Sequence, residues 1–259
     1  MKKPKLIEVV AGVLYNHDGA YLLSSRPEGK PYAGYWEFAG GKVEAGETRL
    51  AALQREFTEE LGIEITSASP WLTRIHHYEH ANVHLHFFRI AANQWHGQLI
   101  ARENQSWHWQ YPHTDTVTPI LPANAPILTA LSIPTTLTGT LSSGFKSPDM
   151  QQPFSIFPYQ PNISANNIVY APVNQLRSII QQHPVQHIWA ICHHVDQWAQ
   201  AQTVAAVIWP LYNQQDQKQL LSLLHQSDIN VPVLALYTQN YTDQIDWMSL
   251  GAHGVIYEQ

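Results

Sequence analysis

The stretch Gly41-Lys-Val-Glu-Ala-Gly-Glu47-Thr-Arg-Leu-Ala-Ala-Leu-Gln-Arg55-Glu56-Phe57-Thr-Glu59-Glu60-Leu-Gly62-Ile63 decides how the first half of the chain is read. Leu50, Leu53, Phe57 and Leu61 recur at helical spacing and Gly62 follows as a stop, which predicts a helix over residues 48–61. Glu56, Glu59 and Glu60 stand at i, i+3 and i+4 and share one side of that helix. They lie in its C-terminal half, where the macrodipole is already negative, and each like-charged pair costs roughly 0.2–0.5 kcal/mol. Arg55, the nearest basic residue, is one position from Glu56 and points to another part of the helix surface. A bound divalent cation removes the conflict, because a hard ion such as Mg²⁺ takes carboxylate oxygens and shares its other positions with water and phosphate oxygens. A solvated acidic face is the alternative that the triplet alone leaves open.

The composition around this stretch excludes several function classes. The chain has 259 residues, 44% hydrophobic and 13% charged, as expected of folded domains. A net charge of −6 argues against capture of polymeric nucleic acid or of an anionic membrane surface. No apolar run of about 18 residues marks a membrane span. The basic start Met1–Lys5 leads to Glu8 and Gly12, not to a signal core, so a cytoplasmic protein is expected. Cys192 is the only cysteine, which excludes an internal disulfide and a cysteine-built zinc site and suits a small buried hydrophobe.

The two halves differ in composition. Residues 1–132 hold 11 of the 14 Lys+Arg, whereas 18 of the 23 Gln follow residue 132. The expected organisation is a first domain over 1–132, a linker or irregular segment over 133–165 around Leu141–Pro153, Pro158 and Pro161, and a second domain over 166–259. In the first, Leu6–Tyr15, Ala20–Ser25 and the alternating Val83–Phe88 read as strands. In the second, apolar runs at 168–171, 187–192, 205–209, 231–237 and 254–257 alternate with helical segments around 173–182, 195–202, 216–226 and 242–250. Strand and helix in alternation mean βα repeats with a parallel sheet.

The quoted stretch resembles the Nudix hydrolase box: glycine, five residues, glutamate, seven residues, then Arg-Glu-apolar-any-Glu-Glu-any-Gly-apolar, without a departure. The resemblance implies an α/β/α sandwich with a mixed sheet and hydrolysis of a nucleoside diphosphate linked to a further group. It implies Glu56, Glu59 and Glu60 as ligands of Mg²⁺, or of Mn²⁺ in its place, with the carbonyl of Gly40 or Gly41 added. Arg55 and Glu47 would brace the loop, and Gly41 and Gly62 would be structural. Outside the box, residues 1–132 resemble the MutT branch, which hydrolyses oxidised guanine nucleotides to the monophosphate and pyrophosphate. Leu23-Ser-Ser-Arg26 and Trp36-Glu37-Phe38-Ala39-Gly40-Gly41 carry this likeness, with Ala39 where proline is usual. So do Glu103 in Arg102–Trp107 and Asn124 in Leu121–Pro126. On this resemblance Arg26, Glu37, Phe38 and Asn124 contact the substrate, and Glu103 joins the metal site or orients the attacking water. Asn124 suits a purine edge because its amide offers an acceptor and two donors in one plane.

His76, His77, His80, His84 and His86 read as a solvated histidine-rich face, since no carboxylate is spaced to complete a metal site with them. Residues 187–257 faintly resemble the later strands of thiamine phosphate synthase, a (β/α)8 barrel. Tyr237-Thr238-Gln239-Asn240 replaces the Gly-rich phosphate-holding turn, so the resemblance implies an incomplete, non-catalytic barrel. The expected activity is clearance of oxidised dGTP, with a small nucleotide as the partner. Hydrolysis of another nucleoside diphosphate derivative or of a thiamine-related pyrophosphate, and a nucleotide sensor without catalysis, are the alternatives.

Overall fold

In the computed structural model, which describes residues 6–79, 81–114, 116–149, 153–226, 228–238, 241 and 244–259, the chain divides into units Met1–Ser132 and Ile133–Gln259. The first unit contains β1 (Leu6–Leu14), β2 (Tyr21–Ser25), β3 (Trp36–Glu37), β4 (Gly40–Lys42), α1 (Arg49–Leu61), β5 (Glu64–Ile65), β6 (Ser69–His77), β7 (Asn82–Ile90), β8 (Trp95–His96), β9 (Trp107–Gln110) and α2 (Ala125–Leu131). Its main sheet runs β4-β1-β7-β6, with β1 parallel to β7 and the outer pairs antiparallel. A second sheet runs β3-β2-β9, and β5 pairs with β8. These elements make a mixed α/β unit.

Helix α1 starts where Thr48 caps it, its hydroxyl accepting from the Ala51 N–H at 3.1 Å, and ends at Gly62 in the left-handed region at φ 70°. Its buried stripe is Ala52, Leu53, Phe57 and Leu61, packed against Val10, Leu14, Leu22, Phe88 and Ile90. Leu50, expected in that stripe, is 37% exposed, because it lies in the first turn at the edge of the sheet-facing side. The alternation in Val83–Phe88 predicts a strand with one buried face, but β7 is buried on every residue from His84 to Ile90. It is a central strand flanked by β1 and β6, so His84 and His86 are interior and not solvated, while His77 on β6 is exposed as expected and His80 lies outside the described residues.

The second unit is a closed barrel of β10 (Thr136–Thr140), β11 (Gly144–Lys146), β12 (Ser155–Pro158), β13 (Ile168–Pro172), β14 (Ile188–Ile191), β15 (Ala206–Leu211), β16 (Val233–Tyr237) and β17 (Gly254–Glu258). Helices α3 (Leu176–Ile179), α4 (Trp198–Ala201) and α5 (Gln214–Gln226) lie between β13 and β16. Neighbouring strands are parallel except at β11, which runs antiparallel to both β10 and β12.

Contrary to expectation, residues 133–165 are not a linker, and the barrel is closed and not incomplete. The segment supplies β10, β11 and β12, each bringing one core side chain, Leu137, Phe145 or Ile156. Each of these short strands buries only one side chain, and none carries an apolar run longer than Ile156-Phe157, too short to stand out as a strand. The barrel interior is filled by these three with Tyr170, Trp189, Ile208, Leu234, Leu236 and Ile256, a packed core and not a pore. The helix expected over 242–250 is absent among the described residues, where 247–251 form turns; Thr242 and Asp243 lie outside them, as do Gln239 and Asn240. Cys192 is fully buried, and burial pushes its thiol up to about 12, which leaves it inert near neutral pH. Among the described residues no helix is long and apolar enough to cross a membrane.

Candidate functional site

Burial of the α1 stripe leaves Glu56, Glu59 and Glu60 on the flank beside the β4 turn. The Gly40 N–H donates to Glu60 Oε2 at 3.2 Å, and Glu56 lies against Gly41. A Cβ on Gly41 would fall 2.2 Å from Glu56 Oε1. Gly40 has φ 148°, and a Cβ there would fall 2.1 Å from the Val10 carbonyl oxygen. The two glycines therefore serve different ends. Gly40→Ala is expected to destabilise the first unit by about 1–3 kcal/mol, since a β1 backbone atom must give way. Gly41→Ala is expected to keep the melting temperature close to wild type and lose activity, because the flexible Glu56 side chain swings aside. Equal melting losses in the two variants would contradict this division.

Arg55 is the hub of the loop. Its Nε and Nη2 donate to the two oxygens of Glu47, each at 3.0 Å, Nη2 also donates to the Lys42 carbonyl at 3.0 Å, and Nη1 donates to Glu56 at 2.8 Å and Glu59 at 3.1 Å. A planar guanidinium serves these fixed acceptors together. Hydrogen bonds from Arg55 and from the Glu44 N–H hold the Glu47 carboxyl below its usual range. One helix position from Glu56 was expected to keep Arg55 away from it; the long side chain folds back and reaches it.

The opposite wall comes from β3 and the 102–106 turn. Arg26 Nη1 donates to Glu37 at 2.7 and 2.5 Å, while its Nε donates to the Pro31 carbonyl. Lys30 pairs with Glu103. Gln105 Nε2 donates to the Glu60 carbonyl at 2.8 Å, and its Oε1 accepts the Glu103 N–H, which fixes this turn to the end of α1. Phe38 is buried against Tyr21 and Phe87 and belongs to the core.

Asn124 is 3% exposed, in a single 3-10 turn at Pro122–Asn124. It is brought to β3 by backbone hydrogen bonds from the Trp36 N–H to the Pro119 carbonyl and from the Leu121 N–H to the Trp36 carbonyl, both 2.8 Å. Tyr78 sits between: it hydrogen-bonds the Ala123 backbone, and its hydroxyl is pushed up to about 12 by burial and by the Glu37 carboxylate. Tyr32 lies 5.5 Å from Tyr78 and 5.4 Å from Tyr35 between ring centroids, with its backbone in the left-handed region at φ 63°. Such a conformation is uncommon for a tyrosine and concentrates at functional sites. Lys30, Tyr32, Tyr78 and Gln105 carry no sequence signal; only the fold brings them here.

Electrostatically the cleft is short of positive charge. Glu37, Glu56, Glu59, Glu60 and Glu103 face Arg26, Lys30 and Arg55. Burial, then the Glu37 carboxylate, push the Glu60 carboxyl up to about 8. Burial also raises Glu56 and Glu37, against the pull of Arg55 and Arg26 respectively. Clustered carboxylates that resist ionisation, and a glycine turn with no room for a Cβ beside them, fit a hard divalent cation.

Residues 10–130 match the NUDIX domain family. A CTP pyrophosphohydrolase of Escherichia coli K12 is 41% identical over 126 residues, covering 49% of this chain and 91% of that protein. An 8-oxo-dGTP diphosphatase of Haemophilus influenzae is 38% identical over 124 residues, covering 48% of this chain and 90% of that protein. A solved MutT structure, from work on Aliivibrio salmonicida and Vibrio cholerae, aligns with a TM-score of 0.42 at 32% identity, covering 49% of this chain and 97% of that one.

Proposed function

The chain belongs to the NUDIX family and is a pyrophosphohydrolase of that family, and from this premise we propose that it converts oxidised dGTP to the monophosphate and pyrophosphate, clearing it from the nucleotide pool. The observation that carries the reading is the carboxylate flank of α1 facing a wall with a buried amide and tyrosines. In this account Glu56, Glu59, Glu60 and the Gly40 carbonyl hold Mg²⁺, with Glu103 beside them. When bound, the ion neutralises phosphate charge and activates water, which is why no serine or cysteine nucleophile is needed. Arg55 keeps Glu56 and Glu59 in place, Gln105 holds the Glu103 turn, and Glu103 orients the attacking water. The water oxygen forms a new bond to phosphorus, the oxygen bridging the α and β phosphorus atoms leaves with pyrophosphate or stays on the monophosphate according to which phosphorus is attacked, and a carboxylate takes the water proton.

Asn124 supplies selectivity. Oxidised guanine shows an acceptor at O6 beside a donor at N7, which an amide matches with one N–H and its carbonyl; ordinary guanine shows two acceptors there. Tyr32 and Tyr78 offer flat apolar faces to the base. Arg26, held by Glu37 and the Pro31 carbonyl, orients Glu37 in this account. A CTP substrate is the second reading, favoured by the 41% identity to the E. coli CTP pyrophosphohydrolase. The barrel is proposed to have no synthase activity. Phosphorus NMR of the products from oxidised dGTP and Mg²⁺ tests the reaction: monophosphate and pyrophosphate are expected, and diphosphate with phosphate, or no turnover, contradicts it.

A further inference from the structure

The parallel pairing of β1 and β7 places Glu8 directly opposite His84 and Val10 opposite His86. Alternate residues of a strand share a face, so Glu8, His84 and His86 project on the side where Val10 and Phe88 meet α1. His84 Nδ1 is 3.2 Å from Glu8 Oε1, His86 Nε2 is 2.7 Å from Glu8 Oε2, and the imidazole centroids are 4.1 Å apart. One ligand atom from each residue lies within 4.8 Å of the others. The histidines were expected on a solvated face with no carboxylate to complete a site. The carboxylate comes from a strand 76 residues away.

We propose that Glu8, His84 and His86 form a second cation site, for a borderline divalent ion of the Zn²⁺ and Co²⁺ class, distinct from the carboxylate flank of α1. Two imidazoles and one carboxylate are a nitrogen-rich set that suits Zn²⁺, Co²⁺, Ni²⁺ and Cu²⁺ and not Mg²⁺ or Ca²⁺. Zn–N and Zn–O bonds of about 2.0–2.1 Å put tetrahedral donors roughly 3.3 Å apart. The observed histidine–carboxylate separations of 3.2 and 2.7 Å fall within about 0.6 Å of that value, so rotamer adjustment suffices. The histidine side chains are 10% and 4% exposed on a central strand, which holds them in place, while the 41% exposed Glu8 gives a path from solvent. Arg49, the cation now 3.4 Å from Glu8, is 52% exposed and free to swing out. It stands at the first turn of α1, ten residues before Glu59, which is about 15 Å along a helix axis. An ion here clamps β1 to β7, and β1 is the strand that pairs with β4 of the glycine turn.

The test uses the 259-residue chain after chelator treatment and dialysis, with Co²⁺ and Zn²⁺ as probes. Wild type is expected to show a visible Co²⁺ ligand-field band, to lose it on adding Zn²⁺, and to melt at higher temperature with Zn²⁺. Glu59→Gln, which alters the other carboxylate set, should keep the band. His84→Ala and His86→Ala should lose it and weaken Zn²⁺ binding by about 100-fold or more, since removing a partner of a ligand already costs 10–100-fold. Glu8→Gln at a half-exposed position guards against misfolding of the histidine variants and should also lose the band while hydrolysing nucleotide normally. A band unchanged in Glu8→Gln, or absent from wild type, overturns the proposal and leaves only a His–Glu–His hydrogen-bond cluster.

Discussion

Glu59→Gln and Glu60→Gln are each expected to lower nucleotide hydrolysis by about 10²-fold or more, because each replaces a charged oxygen ligand by an amide at a site whose chemistry depends on charge neutralisation. The Glu60 variant carries a second signature. In the metal-free protein the Glu60 carboxyl stays protonated up to about 8, whereas in the unfolded chain it ionises near the ordinary value of about 4.3. The folded state therefore holds one more proton between those values, and stability falls as pH rises from about 5 to 8. Replacement by glutamine removes that loss. With chelator present, the wild-type melting temperature should decline across this window more than that of Glu60→Gln. Parallel pH profiles for the two proteins would place Glu60 in a solvated setting and undercut its assignment. Near-normal turnover in both variants would remove α1 from the chemistry.

Asn124→Ala is expected to leave the carboxylate chemistry intact and collapse the preference for oxidised over ordinary dGTP. A closed pocket rejects a mismatched edge because its own polar groups are left unpaired, and two lost hydrogen bonds at about 1–3 kcal/mol each correspond to roughly 10- to 10⁴-fold of selectivity. The loss should appear as a raised KM for the oxidised nucleotide with kcat largely kept, since the amide contacts base and not phosphate. Retention of the full preference would mean that another group reads the base, and the tyrosine wall of Tyr32 and Tyr78 would be next to examine.

How much of this was legible in the sequence depended on whether residues act as neighbours along the chain. The stripe of Leu53, Phe57 and Leu61, the stop at Gly62 and the three glutamates are local consequences of helical period, and they appear in the structure where the spacing puts them, although Thr48, read as the first helical residue, is the cap that precedes the helix. Leu50 failed because periodicity cannot say how far a partner surface extends along a helix. The bonds from Arg55 to Glu56 and Glu59 failed to register because a helix-position rule ignores the reach of a long side chain. Glu8 was invisible as a partner of His84 and His86, since a parallel pairing joins strands distant in sequence and leaves no spacing to read. In the second unit, the five apolar runs became strands, while Thr136–Thr140, Gly144–Lys146 and Ser155–Pro158 were hidden by having one inward side chain apiece. Short strands of that kind, each burying one side chain, are specified by closure of the barrel, a property of the whole unit.

Whether the cleft reads an oxidised base is decided by kcat/KM of the purified 259-residue chain for oxidised dGTP, dGTP and CTP at saturating Mg²⁺, read as released pyrophosphate. Turnover of oxidised dGTP is expected to exceed that of dGTP and CTP at least tenfold, as for a site that discriminates by about 1.4 kcal/mol or more. Equal rates for oxidised and ordinary dGTP, or a preference for CTP, would contradict the assignment of the base-reading wall.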